Sequence, residues 1–193
     1  MKILVVDNGT AYLRALLHQL EPNDVTVTTR DELSARAITS VDVIVLSGGS
    51  SMSVIGHETE YGYELGLIRD ARTPIIGICL GFELIARAYK AKLERLVVKE
   101  RGLISLKYLQ PHPIFLGVPE TCVFESHRWR VKEILKPLVG LAKSKDGYEI
   151  ISHESKLIFG FQFHPEMLPE VAVGDEIMRN CLNLIERQQS GDE

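Results

Sequence analysis

A cysteine between two glycines is the residue of this sequence best placed for nucleophilic chemistry. The apolar run Ile75–Ile78 leads through Gly77, Cys79 and Gly81 into a stretch of helical periodicity. This pattern is typical of a nucleophile elbow, a strained strand-to-helix turn in which flanking glycines avoid backbone clashes. The turn would place the thiol at a helix N-terminus, whose dipole favours thiolate. We expect a nucleophile at Cys79, although an arbitrary free cysteine is more often a small core residue.

A histidine and a glutamate near the end of the chain are suited to activate that thiol. The apolar run from residue 159 ends at His164, and Pro165 prevents a strand from continuing. The carboxylate of Glu166 could orient the imidazole and stabilise its protonated form. His-x-Glu alone is a weak signal, and a solvated loop is the alternative. The signal becomes stronger because the same chain carries the cysteine elbow.

A Ser-Gly-Gly-Ser-Ser loop at residues 47–51 follows the apolar run at 41–46. Backbone N–H groups in such a loop can bind an oxyanion, and the N–H of Leu80 would supply a second donor. The alternative is an ordinary turn between a strand and a helix.

The helices and strands that the sequence predicts around these residues are those of an open α/β sheet. Four short runs are apolar throughout, which is typical of parallel strands covered by helices on both faces. Stretches with a single apolar stripe lie between them and predict helices. The strand runs are 3–6, 25–29, 41–46 and 75–78, and the helical stretches are 10–21 and 58–71. The expected fold is three-layered and mostly parallel.

The second half of the sequence predicts some antiparallel strands, because apolar runs follow one another with only turns between them. Residues 147–153 and 157–163 predict a hairpin with a turn at 154–156. A closing amphipathic helix is expected at 173–187 and a frayed tail at 188–193. Further strands are predicted at 93–98, 103–109 and 121–125. We expect one domain over residues 1–189, followed by a C-terminal tail at 190–193.

Composition excludes several classes of function. With 193 residues, 45% of them hydrophobic, the chain suits one compact domain. Its formal charge is −4 and its basic residues are scattered, which disfavours nucleic acid as a partner. No run approaches the roughly 18 apolar residues of a membrane span, and we expect a cytoplasmic protein. The widely spaced Cys79, Cys122 and Cys181 favour neither disulfides nor a metal site, and we expect no cofactor.

The three stretches together resemble the class I glutamine amidotransferases. That family carries the Gly-x-Cys-x-Gly elbow, an upstream Ser-Gly-Gly loop and a terminal Gln-Phe-His-Pro-Glu, and all three occur here in the same order across nearly the whole chain. The resemblance implies a flavodoxin-like fold with a seven-stranded core. It also implies a Cys79–His164–Glu166 triad, with an oxyanion hole at Gly49 and Leu80. Such a triad releases ammonia from glutamine through a γ-glutamyl thioester.

The same resemblance suggests where the substrate lies. The segment 125–131 matches the family's Ser-His-x-x-x-Val loop, so we assign substrate binding to Ser51, Glu83, Arg128 and Trp129. Arg128 and Trp129 could instead face a partner protein. Glu83 stands where the family usually has glutamine, and an ionised carboxylate cannot donate a hydrogen bond. The substrate is therefore L-glutamine or another γ-glutamyl compound.

The resemblance also implies a partner, since the chain has no room for a synthase domain. We expect an ammonia-accepting synthetase subunit. The opening turn Asp7-Asn8-Gly9 is common in the GMP synthase and anthranilate synthase branches, although a plain turn after a strand explains it equally well. With the compactness of the chain, it leads us to expect the glutaminase subunit of a GMP synthase. Phe82 and Ser50 depart from common residues of the family. A subunit of anthranilate or aminodeoxychorismate synthase, a γ-glutamyl hydrolase and a non-catalytic binding domain remain as alternatives.

Overall fold

The computed structural model describes residues 1–191, and within that range it contains ten strands and five helices. Asp192 and Glu193, the end of the predicted tail, lie outside the described residues. The strands are β1 (Lys2–Asp7), β2 (Asp24–Thr29), β3 (Val43–Leu46), β4 (Ile75–Ile78), β5 (Lys92–Ser105), β6 (Lys107–Tyr108), β7 (Cys122–Glu133), β8 (Leu138–Lys143), β9 (Tyr148–His153) and β10 (Ile158–Phe161). The helices are α1 (Leu13–Gln19), α2 (Ala35–Ile38), α3 (Gly62–Arg69), α4 (Leu80–Ala88) and α5 (Gly174–Ser190).

Eight of the strands form one sheet in the order β2-β1-β3-β4-β10-β9-β8-β6. The first five are parallel, and β9, β8 and β6 continue the sheet with antiparallel pairing. Both faces are covered, because alternate residues of β1 enter different cores: Ile3 packs with α1 and α5, and Leu4 packs with α3 and α4. The predicted three-layer, mostly parallel fold is confirmed. The sheet has one strand more than the implied seven, and the two-residue β6 lies at its edge.

Two strands leave the main sheet and form a separate ribbon, β5 paired with β7. The prediction of separate strands at 93–98 and 103–109 is wrong, since β5 runs unbroken for 14 residues. Gly102, which reads as a turn in the sequence, lies inside the ladder with φ +136°. The register shifts between Arg95 and Glu100, which oppose Trp129 and His127, so β5 bulges there.

The C-terminal half confirms the predicted hairpin of β9 and β10. The closing helix is longer than expected: α5 continues to Ser190, so residues 188–190 are helical and their assignment to a frayed tail is wrong. The helix ends because Gly191 takes the left-handed conformation, with φ +74°, that glycine adopts at little cost. Strand β8 was not predicted from the sequence.

Candidate active site

Cys79 lies at a tight turn between β4 and α4. Its φ of 51° and ψ of −99° belong to a sparsely populated backbone region for a side chain with a Cβ. The Cys79 N–H donates to the carbonyl of Phe161 at 2.7 Å, which fixes the turn beside β10. A Cβ added at Gly77 would overlap the backbone of Gly81, and one added at Gly81 would overlap the backbone of Leu46. The two glycines thus let α4 start this close to the sheet.

His164 reaches the same place from the segment after β10. Its backbone N–H donates to the carbonyl of Phe124 at 2.8 Å, and its ring packs edge-on against Tyr12 with centroids 4.8 Å apart. The ring nitrogen Nδ1 lies 2.8 Å from Oε1 of Glu166, and both side chains are buried. With Nδ1 engaged by the carboxylate, Nε2 is the nitrogen free to exchange a proton.

Cys79 and His164 border one small cavity of about 80 Å³ together with Gly49. A Cβ added at Gly48 would lie 3.0 Å from Cε1 of His164 and 3.5 Å from Cβ of Cys79. Any side chain at position 48 would therefore crowd the gap between thiol and imidazole. The structure brings together the cysteine, the histidine and the Gly-Gly loop that the sequence predicted separately.

The thiol does not ionise readily in this resting arrangement. Burial raises the pKa of Cys79 well above its usual range, and the carboxylates of Glu83 and Glu166 raise it further. The Leu80 backbone N–H and Lys99 oppose these effects and are the weaker influence. The pKa of Cys79 is therefore raised, and not lowered as its position at a helix N-terminus predicts, because burial and the two carboxylates act in the opposite direction.

A larger cavity of about 440 Å³ opens beside Cys79. Glu83 forms part of its wall and is buried, and this burial raises the pKa of Glu83 to about 7, against the opposing attraction of His127. The cavity lining contains both acidic and basic residues. The lining residues are Gly49, Ser50, Met52, Ser53, Cys79, Leu80, Glu83, Arg95, Lys99, Ser126, His127, Arg128 and Trp129.

Three of the four residues assigned to substrate binding line this cavity, namely Glu83, Arg128 and Trp129. Ser51 is exposed and lies outside the lining. The segment expected as a Ser-His loop lies within β7, so regular strand pairing fixes it. Sequence reasoning missed the cations Arg95 and Lys99, which belong to the bulge in β5, because a run of ordinary strand residues carries no signal of a cavity.

The comparisons with known proteins agree with this geometry. The family model for glutamine amidotransferase class-I matches residues 4–184. The chain belongs to the class I glutamine amidotransferase family. The resemblance read from the three sequence motifs is therefore confirmed, and the chain is a glutamine amidotransferase domain.

Curated relatives of this glutamine amidotransferase include a protein of Pyrococcus abyssi named as a subunit of glutamine-hydrolyzing GMP synthase, which is 32% identical over 94% of this chain and 97% of its own length. The GMP synthase relative of the same name from Methanococcus maripaludis strain C5 is also 32% identical, over 92% of this chain and 94% of its own. A solved structure from Thermoplasma acidophilum, described as a proposed GMP synthase subunit, superposes with a TM-score of 0.87 at 26% identity, covering 98% of this chain and 96% of the other.

A glutamine amidotransferase structure from Thermotoga maritima shares the fold with a TM-score of 0.72 at 18% identity, over 100% of this chain and 86% of the other. Within residues 1–191, none of the helices combines the length and the apolar character needed to cross a membrane.

Proposed function

We propose that this amidotransferase hydrolyses the side-chain amide of L-glutamine with Cys79 as nucleophile, His164 as base and Glu166 as the group that orients the imidazole. The observation that carries the proposal is the convergence of a cysteine elbow and a carboxylate-held histidine on one cavity. Because burial holds the thiol proton on sulfur, the thiolate forms only as His164 accepts that proton. Glu166 stabilises the resulting imidazolium.

The reaction then proceeds in two balanced steps. Sulfur attacks the amide carbon, His164 returns its proton to the departing nitrogen, and ammonia leaves a γ-glutamyl thioester on Cys79. Water activated by His164 hydrolyses the thioester to glutamate and the free thiol. The N–H groups of Gly49 and Leu80 would stabilise the oxyanion in both steps. The N–H of Leu80 already acts on the sulfur, since it opposes the rise in the pKa of Cys79.

The cavity suits an amino acid that carries an ammonium and a carboxylate. Its lining includes the acidic residue Glu83 and the basic residues Arg95, Lys99 and Arg128. Its volume of about 440 Å³ lies within the range of small-molecule sites. These charges favour a zwitterionic substrate such as L-glutamine.

A partner synthetase that accepts the ammonia completes the proposal, with this chain as the glutaminase subunit of a GMP synthase. The relatives are named as subunits, and the cavity rim carries an apolar surface. Val97 is 100% exposed and Val98 76% exposed in the β5 bulge, between Arg95 and Lys99 of the cavity wall. Adjacent exposed apolar side chains at a site entrance are typical of a protein interface.

A γ-glutamyl hydrolase is the second candidate, favoured by one observation. Glu83 places a buried carboxylate where an amide would hold free glutamine in the usual family pattern. Because an ionised carboxylate cannot donate a hydrogen bond, this change makes free glutamine a less certain substrate and leaves other γ-glutamyl compounds as candidates.

The test is to incubate the purified chain with L-glutamine, or with γ-glutamyl dipeptides, and to measure ammonia and glutamate. Cys79→Ala should reduce glutamine hydrolysis at least about 1,000-fold while leaving the circular dichroism spectrum unchanged. Retained turnover in Cys79→Ala would refute the nucleophile. Hydrolysis of the dipeptides with none of glutamine would replace the proposed substrate by the second candidate.

A further inference from the structure

Three titratable side chains without a role in the proposed reaction converge behind the substrate cavity. Glu125 and His127 are two residues apart on β7 and therefore point to the same side of the strand, and Glu149 reaches them from β9. One ligand atom from each lies within 4.8 Å of the other two. All three residues are more than nine-tenths buried. His127 also forms part of the cavity wall, so this Glu125–His127–Glu149 cluster borders the proposed active site.

Several polar atoms of the cluster are unsatisfied. Nε2 of His127 and Oε2 of Glu125 lie 3.2 Å apart and pair with each other, but within the described range Oε1 of Glu125 and Nδ1 of His127 have no hydrogen-bond partner. Glu149 accepts a hydrogen bond from Ser144 at Oε1, and its Oε2 has no partner among the same residues. Folded proteins leave few buried polar atoms in this state, and an ion or a water that completes the site is a common reason. Three such atoms in one cluster indicate a missing ligand.

The charges of the cluster point to a cation as that ligand. The buried side chains of Glu125 and Glu149 each bring a carboxyl oxygen to within 4.8 Å of the other and of a ring nitrogen of His127, which is a set of donors that suits a cation. Lys145, on the neighbouring turn, contacts Glu100 at 3.3 Å and Asp146 at 3.8 Å, and is exposed. A divalent ion would neutralise both glutamates at once.

We propose that Glu125, His127 and Glu149 bind a divalent metal cation of the zinc type. One imidazole and two carboxylates form a donor set that suits Zn²⁺. Nε2 of His127 lies 3.2 Å from Oε2 of Glu125, close to the separation of about 3.3 Å between two ligands of tetrahedral zinc with bonds of about 2.0 Å. Glu149 supplies a third ligand atom within 4.8 Å of this pair, and a water can take the fourth position.

The ion would act on the amidotransferase through the strand that carries its ligands. Ser126, Arg128 and Trp129 line the cavity next to the ligands of β7. Metal binding would tie this strand to β9 and place a cation behind the cavity wall. The site would then control the order and charge of the substrate-binding wall without touching the thiol.

The experiment uses the full chain, treated with a chelator and then supplied with zinc chloride alone, with no glutamine present. After gel filtration we expect about one zinc retained per chain and a melting temperature raised by more than about 3 °C. Glu125→Gln and Glu149→Gln should each lose the retained zinc and the shift. His153→Gln is the matched control, because His153 has no place in the cluster, and it should retain both.

Cys79 and His164 are the competing zinc site, and Cys79→Ala separates the two. Retention in Cys79→Ala supports the proposal, whereas loss of zinc in that variant overturns it. Retention in Glu125→Gln, or no zinc on the native chain, also overturns it and leaves the two glutamates sharing a proton. The absorption spectrum of cobalt bound to the native chain is a further test that requires no variant. A spectrum without the thiolate charge-transfer band supports the site, and the presence of that band contradicts it.

Discussion

At the scale of single residues, Cys79 combines a strained backbone with an environment that opposes ionisation of its thiol. Burial and the carboxylates of Glu83 and Glu166 outweigh the Leu80 N–H and Lys99. The raised pKa favours a neutral thiol over a thiolate in the resting structure. In the proposed reaction, proton transfer to His164 creates the nucleophile.

Glu83 stands inside the cavity lining at a position where the family usually has glutamine, and Glu83→Gln tests its role. We expect the Michaelis constant for glutamine to fall about 3- to 10-fold, because an amide can both accept a hydrogen bond from the substrate and donate one to it, which an ionised carboxylate cannot do. Steady-state kinetics would measure this at saturating and limiting glutamine.

Glu64→Gln is the matched control for Glu83→Gln. Glu64 is also a buried glutamate with a pKa raised to about 7, but it lies on α3, away from the cavity lining. An unchanged Michaelis constant in Glu83→Gln, or an equal change in Glu64→Gln, would contradict a role for Glu83 in binding.

At the scale of elements, the site depends on how closely α4 and α3 approach the strands. The elbow glycines bring α4 against β3 and β4. Asn8, which follows β1, donates a hydrogen bond to the buried Glu64 of α3 at 3.0 Å. The loops that carry Gly49 and Cys79 are thus held between elements that are themselves fixed by packing.

Gly81→Ala tests the close packing of α4. The added methyl would meet the backbone of Leu46 well inside van der Waals contact, so we expect a loss of more than about 2 kcal/mol in the free energy of unfolding and a loss of glutaminase activity. Gly66→Ala on α3 is the control, because a Cβ there has open space. It should stabilise the chain by about 0.5 to 1 kcal/mol. Urea unfolding measures both, and equal effects would argue against close packing at the elbow.

Glu64 predicts a pH dependence of stability. Burial raises its pKa from 4.5 to about 7 in the folded chain, so the folded state binds a proton that the unfolded state releases. The contribution of Glu64 to stability is therefore greatest below about pH 4.5, and it is lost as the pH rises through 7.

Glu64→Gln has no ionisable group at this position, so the variant avoids the loss of stability at high pH. Its amide can retain the hydrogen bond from Asn8. We expect the variant to exceed the native chain in unfolding free energy by about 1 to 3 kcal/mol at pH 8. The difference should shrink toward pH 5. Denaturant unfolding at the two pH values measures it, and a difference independent of pH would show that ionisation of Glu64 is not the cause.

At the scale of the whole molecule, the cavity opens beside a ribbon that stands apart from the main sheet. The β5 bulge carries two exposed valines, flanked by cations of the cavity wall. A partner that covers the valines would also close the cavity and confine the ammonia.

Val98→Asp tests this interface. With the ATP-pyrophosphatase component of a GMP synthase added as the probe, we expect the native chain to show a higher glutaminase rate than alone. In Val98→Asp the stimulation by the partner should be at least about tenfold smaller, because a charged side chain replaces an apolar contact that the partner would bury. Its rate without partner should stay unchanged, since Val98 does not line the cavity.

Leu116→Asp provides the comparison, because Leu116 is 77% exposed and lies outside the ribbon. Equal losses in both variants would argue against the β5 bulge as the docking surface.

The order of residues along short stretches of the chain is enough to predict several parts of this protein. The apolar runs predicted β4 and the hairpin of β9 and β10, since strands buried on both faces need apolar side chains throughout. The elbow around Cys79 and the Gln-Phe-His-Pro-Glu segment identified the family, because turn geometry is encoded by neighbouring residues.

Features that depend on residues distant in sequence became visible only in the folded chain. The sequence predicts two strands, at 93–98 and 103–109, where the structure has the single bulged strand β5, because its pairing with β7 continues through Gly102. Folding also brings Arg95 and Lys99 to the cavity and Glu149 to His127. Sequence spacing had predicted no metal site, since the three proposed ligands meet only when β7 and β9 come together. The pKa of Cys79 likewise depends on the fold, because burial is a property of everything packed around the thiol.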